Sequence, residues 1–433
     1  MQTMKLLYNI LLLLVAVPGI PFFFLKMMIT GKYRHSFIQK LGGRQKTILA
    51  SLPESKRVWI HAVSVGEVTA AAPIVTFLKD QRPDVQIIFS TSTETGQSMA
   101  QRLVKGASAF IYFPLDIPYS VQKMLDLVRP DVFALVETEL WPNFLDACRR
   151  RDVPSLMLNG RISPRSFPKY QKTSFFWRQV LQNVEEAGMI AEIDAKRLCA
   201  IGMDEKRIRI MGNAKYDALA AMASPALHAD ISGRFNIGKD EKIFVAGSTH
   251  PGEEEVVIRV YQKLLTRYPD FKLVLVPRHI ERKDEIAASL RAFGFEDIIT
   301  VSQMNQGRRR LNEPIILVDV IGELFKVYSL ATVVYCGGSL VPKGGQNILE
   351  SAAWGKVTFY GPSMEDFSQE AALLEAAGAG IRIAHEQELL QGILKMLEHP
   401  SDALERGMRG QAVVRANMGA ARRYAEMVIK HIG

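Results

Sequence analysis

The stretch Trp59-Ile60-His61-Ala62-Val63-Ser64-Val65-Gly66-Glu67 decides the fold, because it has the pattern of a buried strand that turns and restarts as a helix. The strand is predicted over Val58–Val63 and the helix over Val68–Lys79. Between them the carboxylate of Glu67 lies at the carboxyl end of a strand, where open parallel sheets bind their ligands. Glu67 is therefore placed to take a proton from a substrate hydroxyl. The alternative is a first-turn acid that only complements the helix dipole.

The alternation of short apolar runs with amphipathic segments continues in two stretches of the chain, a pattern that predicts right-handed βαβ units and parallel sheets. The strands predicted in the first stretch are Val58–Val63, Val85–Ser90, Ala109–Phe113, Val132–Val136, Ser155–Leu158 and Gly188–Ala191. A loop is expected around Ser224–Gly238. The strands predicted after it are Ile243–Ala246, Leu273–Val276, Ile298–Val301, Ile315–Val318, Thr332–Cys336 and Val357–Tyr360. We expect two Rossmann-like, doubly wound α/β domains facing each other across a cleft, with a helical segment over Ala403–Ile432.

The N-terminal segment has the composition of a membrane anchor. No Asp or Glu precedes Glu54, and the uncharged run Leu6–Leu25 matches the ~20 residues that span a bilayer core. Seven basic residues flank this run: Lys5, Lys26, Lys32, Arg34, Lys40, Arg44 and Lys46. By the positive-inside rule, we expect an uncleaved anchor helix over residues 1–30 with the body of the protein on the cytoplasmic side. A cleaved signal peptide is the alternative, although no A-x-A-like site follows the run.

The composition of the chain excludes several classes of protein. With 433 residues, 48% hydrophobic and 23% charged, the chain is globular and long enough for two or three domains. Its three cysteines are far apart and show neither a disulfide framework nor metal-ligand spacing. The net charge of +9 is concentrated near the anchor rather than along a stripe of base-reading side chains, so a nucleic-acid partner is not expected.

Polar loops follow several predicted strands of the first half. The hydroxyl-rich loop Ser90–Gly96 opens a helix and is either an anion-binding turn or a set of N-caps. The motif Glu137-Thr138-Glu139-Leu140-Trp141-Pro142-Asn143 places two acids after an apolar strand, where a buried acid needs a basic partner or a catalytic task. The stretch Arg161–Arg178, basic and aromatic, fits either a phosphorylated amphiphile or an ordinary helix face. Lys215 could meet the charge on a leaving phosphate or form an ion pair.

The second half carries five polar loops that together predict a nucleotide pocket. The turn Gly247–Glu253 opens a helix, and the two Gly-rich segments Gly337–Ser339 and Gly344–Glu350 form one long loop that runs into a helix. These three segments are expected to offer backbone N–H groups to a phosphate. Pro277-Arg278-His279 ends a strand with two basic groups. Gly322-Glu323-Leu324 begins a helix after Asp319. Neither a Walker sequence nor a G-x-G-x-x-G motif is present.

Taken together, these motifs resemble those of a known family. His61–Glu67, Glu137–Asn143, Pro277–His279 and the Gly337–Glu350 loop, in this order and spacing, are similar to the Kdo transferases of Gram-negative bacteria. These enzymes add 3-deoxy-D-manno-octulosonic acid (Kdo) to the lipid A precursor during lipopolysaccharide biosynthesis. The similarity covers nearly the whole chain, although many relatives have Pro after the asparagine where this chain has Ile348.

The resemblance implies an inverting, metal-independent enzyme of the glycosyltransferase-B fold. Its donor would be CMP-Kdo, and its acceptor an acylated, phosphorylated glucosamine disaccharide at the cytoplasmic leaflet of the inner membrane. Residues 31–220 would bind the acceptor and residues 221–433 the donor, with the C-terminal helix returning to the first domain. The resemblance makes Glu67 the general base, with Glu137 and Lys215 assisting the transition state. The residues it assigns to the CMP site are Arg278, His279, Gly322, Glu323, Leu324, Asn347, Ile348, Leu349 and Glu350.

Two other functions fit parts of this pattern. A sugar-nucleotide epimerase or another transferase could share the architecture, because fold does not decide function, but a soluble epimerase has no need of an anchor. A membrane-tethered binding protein without catalysis would have no use for a base at Glu67. Replacing Glu67 distinguishes the two classes, since only an enzyme loses turnover.

Overall fold

The structure of the protein is a computed structural model that describes residues 6–14, 19, 45–50, 52–238 and 240–433. Two compact units are present. The first unit comprises the chain up to Ala218 together with Asn417–Gly433, and the second comprises Leu219–Ala416. The last helix therefore belongs to the first unit, and the second unit is inserted between two segments of the first.

The first unit is built on a seven-stranded parallel sheet with the order β3-β2-β1-β4-β5-β6-β7. Its strands are β1 Arg57–His61, β2 Gln86–Thr91, β3 Ala109–Tyr112, β4 Val132–Val136, β5 Ser155–Gly160, β6 Glu186–Met189 and β7 Ile208–Ile210. Its helices, together with α9, which runs across the boundary between the units, are α1 Gln45–Ala50, α2 Val65–Gln81, α3 Glu94–Leu103, α4 Pro118–Val128, α5 Pro142–Arg149, α6 Phe167–Lys172, α7 Ser174–Leu181, α8 Glu192–Ile201 and α9 Lys215–Met222, and a 3-10 turn spans Glu205–Arg207.

Apolar layers cover both faces of this sheet, as the continuous hydrophobic strands require. Because side chains alternate along a strand, Trp59 of β1 packs with Phe133 and Phe144 on one face. Its neighbour Ile60 packs with Ile74 of α2 on the other. These fully buried side chains fix the register of β1, and with it the position of the turn that follows.

The C-terminal helix, α19 Ala420–Ile432, completes the second of these layers. It packs against α2, and its Tyr424 hydroxyl donates to the carbonyl of Gly212 at 2.8 Å. The carboxylate of Asp217 accepts from the backbone N–H groups of Gly419 and Ala421 at 2.7 and 3.2 Å. These contacts hold the start of α19 beside the start of α9.

The second unit repeats the architecture, with a parallel sheet of order β10-β11-β9-β8-β12-β13-β14. Its strands are β8 Ile243–Thr249, β9 Lys272–Pro277, β10 Ile298–Thr300, β11 Ile315–Leu317, β12 Val333–Cys336, β13 Thr358–Tyr360 and β14 Gly380–Arg382. Its helices are α10 Pro225–Arg234, α11 Glu253–Leu265, α12 Lys283–Ala292, α13 Val301–Asn305, α14 Leu324–Tyr328, α15 Leu349–Ala353, α16 Ser368–Ala376, α17 Glu386–Glu398 and α18 Pro400–Ala416, with 3-10 turns at Ile280–Arg282 and Glu365–Phe367. Apolar clusters lie on both faces of this sheet as well.

The prediction of two parallel α/β domains is confirmed, with three differences in detail. The edge strands β7 and β14 were not predicted, because each has three residues and too few buried side chains to form an apolar run. The loop expected around Ser224–Gly238 is wrong over Pro225–Arg234, which form α10. Ser224 caps that helix by accepting from the N–H of Leu227, a signal that its Ser-Pro sequence carries.

Part of the predicted anchor can be described. Residues 6–14 are helical, and their leucine side chains are mainly exposed, Leu6 by 62% and Leu14 by 64%. Tyr8 donates to Asp116 Oδ2 at 2.9 Å, so this helix contacts the first unit. Within the described residues, every helix falls short of the length or the apolar character needed to cross a bilayer. Ten of the twenty residues of the Leu6–Leu25 run lie outside the described residues, and the anchor stays a prediction.

Candidate active site

The first sheet reverses its strand order between β1 and β4. From β1 the chain proceeds to β2 and β3 on one side, and β4 to β7 follow on the other. A crevice forms at such a switch point, outside the carboxyl ends of the two strands. Glu67 follows β1 and Glu137 follows β4, so two of the predicted catalytic residues flank this point.

Glu67 lies in the first turn of α2 and has only 6% of its surface exposed. Its carboxylate accepts from the N–H of Val63 at 2.7 Å and from the hydroxyl of Ser64 at 2.8 Å. Ser64 also caps the helix by accepting from the N–H of Glu67. Burial raises the pKa of Glu67, the hydrogen bonds from Val63 and Ser64 oppose that rise, and the charge of Glu137 adds to it. A carboxylate that is fixed by hydrogen bonds and has a raised pKa is suited to act as a general base.

Glu137 and Lys215 form an ion pair, with Lys215 Nζ 2.8 Å from Glu137 Oε1. Both side chains are about three-quarters buried, at 26% and 22% exposure. Glu137 has a φ of 60°, a left-handed conformation that is unfavourable for a residue with a Cβ. The structure therefore brings two predicted catalytic residues into contact and holds one of them in a strained backbone.

Local hydrogen bonds position Lys215. Asn159, at the end of β5, accepts from the N–H of Ala214 at 2.9 Å, and Asn213 accepts from the N–H of Lys215 at 3.0 Å. The Lys215 ammonium also lies near the start of α2, because an ideal Cβ on Gly66 would be 3.8 Å from Nζ. Glu67, Glu137 and Lys215 thus lie in one region of the first unit.

Glu139 is a further acid in this region that the sequence did not single out from its motif. Burial, followed by the charges of Glu67 and Glu137, raises the pKa of Glu139 to about 7. Burial raises the pKa of Tyr170, and the charge of Glu139 adds to this rise. Three carboxyl groups close enough to interact are difficult to keep ionised together. Glu139 therefore gains or loses its proton near neutral pH.

The hydroxyl-rich loop after β2 serves as a helix cap. Thr93 accepts from the N–H of Gly96 at 3.0 Å at the start of α3, and Thr91 donates to Gln97 Oε1 at 2.7 Å. Ser90 accepts from the indole N–H of Trp59 at 2.7 Å. These partners favour the N-cap interpretation over an anion-binding turn.

In the second sheet the order reverses between β8 and β12. The residues predicted to bind the CMP group follow the ends of the strands around this point. Arg278 and His279 come after β9, next to β8, and both are exposed. The imidazole of His279 lies 5.7 Å, centroid to centroid, from that of His250, which follows β8.

The residues predicted for the rest of the nucleotide site lie on two neighbouring helices. Leu324 begins α14 and approaches the end of β8, since an ideal Cβ on Gly247 would lie 2.7 Å from its Cδ1. The indole of Trp354, after α15, donates to the carbonyl of Phe325 at 2.8 Å and ties the two helices together. The helices that begin at Leu324 and at Leu349 are therefore neighbours. Glu323 is itself ion-paired with Arg234 and Lys326.

The Gly-rich turn after β12 is organised by a residue that the sequence did not single out, Glu253. Its fully buried carboxylate accepts hydrogen bonds from five donors. These are the N–H groups of His250, Gly338, Ser339 and Leu340 and the hydroxyl of Tyr335, at 2.7 to 3.0 Å. The expectation that this turn offers its N–H groups to a phosphate is therefore wrong for Gly338–Leu340, because Glu253 occupies them. The sequence carries no local signal for this role, because Glu253 lies more than 80 residues from the amides that it binds.

No group of three or more His, Cys, Asp or Glu side chains in the described ranges is arranged to hold a metal ion. The cationic groups near the predicted sites include Lys215 in the first unit and Arg278, Lys326 and Lys343 in the second.

Comparison with known proteins places the chain among a set of transferases. A family profile described as "3-Deoxy-D-manno-octulosonic-acid transferase (kdotransferase)" matches residues 34–218. The 3-deoxy-D-manno-octulosonic acid transferase of Haemophilus influenzae is 31% identical over 387 residues, which cover 88% of this chain and 88% of that protein. The enzyme of that name from Bordetella pertussis is 28% identical over 392 residues, covering 89% of each chain.

Solved structures share the fold at low sequence identity. The UDP-GlcNAc 2-epimerase of Neisseria meningitidis bound to UDP-GlcNAc matches with a TM-score of 0.62 and 13% identity, over 87% of this chain and all (100%) of that one. A glycosyltransferase from Rickettsia africae matches with a TM-score of 0.55 and 13% identity, over 88% of this chain and 99% of that one. These likenesses concern the glycosyltransferase-B type of fold alone, and the sequence relatives decide the family. The chain belongs to the family of 3-deoxy-D-manno-octulosonic acid transferases.

Proposed function

We propose that the protein transfers Kdo from CMP-Kdo to the acylated, phosphorylated glucosamine disaccharide that is the precursor of lipid A, with inversion at the donor carbon and without a metal ion. The observation that carries this proposal is the buried Glu67 carboxylate beside the Glu137–Lys215 ion pair at the switch point of the first sheet. Family membership supplies the donor sugar.

In this mechanism Glu67 takes the proton of an acceptor hydroxyl as the hydroxyl oxygen attacks the donor carbon of Kdo. The bond between that carbon and the phosphate oxygen breaks, and CMP leaves with the bonding electron pair. Because the hydrogen bonds from Val63 and Ser64 fix the Glu67 carboxylate, little reorganisation is needed at the moment of proton transfer. A positioned base of this kind contributes about two to four orders of magnitude in rate.

The Glu137–Lys215 pair is proposed to stabilise the transition state. CMP leaves as a phosphate monoester anion and the sugar carbon becomes electron-poor, so charge of both signs develops during the step. Lys215 is a fixed, three-quarters buried cation whose attraction for negative charge is stronger than it would be in water. Cationic side chains make a metal dispensable for a leaving group of this quality.

CMP is proposed to bind at the carboxyl edge of the second sheet. Arg278 and His279 would meet the phosphate, Gly322-Glu323-Leu324 would contact the base, and Asn347–Glu350 would hold the ribose and phosphate. In support, Asn347 accepts from the N–H of Leu349 and donates to Glu350, so this turn presents ordered polar groups at a helix start.

We also propose that the first unit sits on the cytoplasmic face of the inner membrane. The exposed leucines of residues 6–14 lie near the basic, aromatic helices α6 and α7, since the rings of Tyr8 and Phe176 are 5.8 Å apart. Phe175 of α7 is 63% exposed. Apolar side chains next to Lys169, Lys172 and Arg178 suit a surface of anionic lipid, which is where an acylated acceptor is concentrated.

The test compares the wild type with Glu67→Gln in a transfer assay. CMP-Kdo is generated in the same tube, a chelator is present, and products are resolved by mass. We expect the wild type to add Kdo to the tetra-acylated lipid A precursor. Turnover by Glu67→Gln should fall about 10²- to 10⁴-fold while its affinity for CMP stays the same. Glu192→Gln, an exposed first-turn acid of α8, is the matched control.

Each contrary result has a distinct meaning. A well-folded wild type that transfers nothing contradicts the donor or the acceptor. A Glu67→Gln variant as active as the control contradicts the base and leaves the donor standing. Loss of activity with the chelator, restored by a divalent cation, contradicts metal independence.

A further inference from the structure

Four basic side chains gather at the carboxyl edge of the second sheet, and two of them, His250 and Lys343, have no role in the function proposed above. His250 follows β8, Arg278 and His279 follow β9, and Lys343 lies in the loop after β12. The imidazoles of His250 and His279 lie 5.7 Å apart, centroid to centroid. Burial lowers the pKa of His250, the charge of Glu253 opposes this, and the charges of His279, Arg278 and Lys343 lower it further. In the described part of the chain, Arg278, His279 and Lys343 form no ion pair with a carboxylate.

His250 is held in place by its backbone, while its Nε2 atom has no hydrogen-bond partner among the residues that the structure describes. Its N–H donates to Glu253 at 2.9 Å, and only 8% of the residue is exposed. The imidazole packs against Gly338, where an ideal Cβ would be 3.4 Å from Nε2, and that nitrogen is buried without a hydrogen bond. A buried polar atom left unpaired costs about 1–3 kcal/mol. Such a group requires an explanation, and a hydrogen bond to a bound ligand is one.

The donor offers two anions to this edge. CMP-Kdo carries the phosphate that links CMP to the sugar and, separately, the carboxylate of the octulosonic acid. The N–H groups of Gly338, Ser339 and Leu340, which could have bound one of them, are taken by Glu253. Basic side chains beside this turn can meet the anions in place of these amides, and two pairs of such side chains are present.

We propose that Lys343 and His250 form a subsite for the carboxylate of the donor sugar, next to the phosphate site of Arg278 and His279. This inference rests on the proposed function, because it presumes CMP-Kdo as the donor. Lys343 lies in the loop after β12 that begins with the Gly338 turn and closes through the bond from the N–H of Gly345 to the carbonyl of Gly338, and His250 packs against Gly338 from the end of β8. The subsite makes these two residues determinants of specificity for an acidic sugar over a neutral one.

The test separates the sugar carboxylate from the nucleotide. Binding of CMP, which has no sugar carboxylate, is measured by calorimetry for the wild type, Lys343→Met, Lys343→Arg and His250→Gln. The KM for CMP-Kdo is measured in the transfer assay with donor made freshly from a limiting supply of CTP. Lys395→Met, an exposed lysine on α17, is the control.

We expect Lys343→Met to raise the KM for CMP-Kdo about 10- to 100-fold, the effect of one charge-assisted hydrogen bond, with CMP affinity unchanged. Lys343→Arg should recover most of the loss, and His250→Gln should raise KM to a smaller extent. An equal loss of CMP affinity in Lys343→Met would place Lys343 at the phosphate and overturn the carboxylate assignment. An unchanged KM for CMP-Kdo in Lys343→Met would overturn the subsite altogether. The proposed function would still stand in that case, provided that the wild type transfers Kdo. A wild type that binds CMP but transfers no Kdo contradicts the function itself.

Discussion

Three non-glycine residues take left-handed backbone conformations where strands end, namely Glu137, Asn159 and Ser248, with φ of 54° to 60°. Each costs about 1–3 kcal/mol and persists only because its surroundings hold it. Glu137 points to Lys215, Asn159 fixes the N–H of Ala214, and Ser248 precedes His250 by two residues. In both units, backbone strain is thus present at the ends of β4, β5 and β8, where the proposed sites lie.

At this scale the ion pair can be tested by a double-mutant cycle. Lys215→Met should lower kcat by about 10²- to 10³-fold, the usual effect of removing one group that stabilises developing charge. Glu137→Gln should lower it as well, and the double variant should be little worse than Lys215→Met because the two side chains act together. Single-turnover kinetics measure all three. Fully additive losses would show that the two residues act independently.

Glu139 predicts a pH dependence of stability. Its pKa of about 7 in the folded protein lies above the ordinary 4.5, so between these values the folded state holds a proton that the unfolded chain has lost. Folding therefore becomes less favourable as pH rises from about 4.5 to 7. Glu139→Gln should match the wild type at pH 4.5 and exceed its free energy of unfolding by about 1–2 kcal/mol at pH 8. Denaturant unfolding of the two proteins at both pH values measures this, and a constant difference between them would contradict it.

Among the secondary-structure elements, the long apolar strands were predictable and the short polar ones were not. β4 was predicted at its observed bounds, because five consecutive apolar residues, all of them buried in the structure, are typical of a central strand. β7 and β14 were not predicted, because an edge strand forms by pairing with another strand, β6 or β13 here, and its own residues show little apolar pattern. Among the functional candidates, the strand-end motifs gave Glu67, Glu137 and Arg278. The role of Glu253 depends on amides more than 80 residues away, as in its bond with the N–H of Gly338, and local sequence cannot show it.

The turn after β12 should depend on Glu253. In Glu253→Gln an amide NH₂ would face N–H donors in place of a carboxylate oxygen, so buried donors lose their acceptor. We expect the second unit to lose about 2–4 kcal/mol of stability and CMP affinity to fall. Glu255→Gln, in the same first turn of α11 but 63% exposed at its side chain, should change neither property. Urea unfolding and calorimetry with CMP provide the measurements; equal stability of the two variants would contradict the role of Glu253.

Over the whole molecule, the second unit is a continuous segment and the first is not. The cores of the second unit are formed by side chains between Ile231 and Leu397, all within Leu219–Ala416. The first unit needs Tyr424 and Val428 of α19 to cover one face of its sheet. The two domains were predictable from the repeated strand–helix alternation. The points at which the chain leaves the first unit and returns to it depend on packing, which the alternation does not encode.

This difference predicts the behaviour of fragments. Leu219–Ala416 produced alone should unfold cooperatively and bind CMP with nearly the affinity of the full chain. A fragment ending at Ala218 should aggregate or bind a hydrophobic dye, because α19 no longer covers α2 and the sheet. Supplying residues 417–433 after a short linker to Ala218 should restore a folded first unit. Thermal melts and size-exclusion chromatography test these outcomes, and a well-folded fragment ending at Ala218 would contradict them.

The return of α19 to the first unit also orders events during synthesis. The ribosome must make all of Leu219–Ala416 before Ala420–Ile432 can emerge and close the layer over α2. Throughout that interval the nascent first unit exposes the apolar surface later covered by Tyr424, Met427 and Val428, and it is a client for chaperones. The inserted unit can meanwhile fold by itself. A ribosome that stalls just after the inserted segment would therefore leave a folded second unit attached to an incomplete first unit.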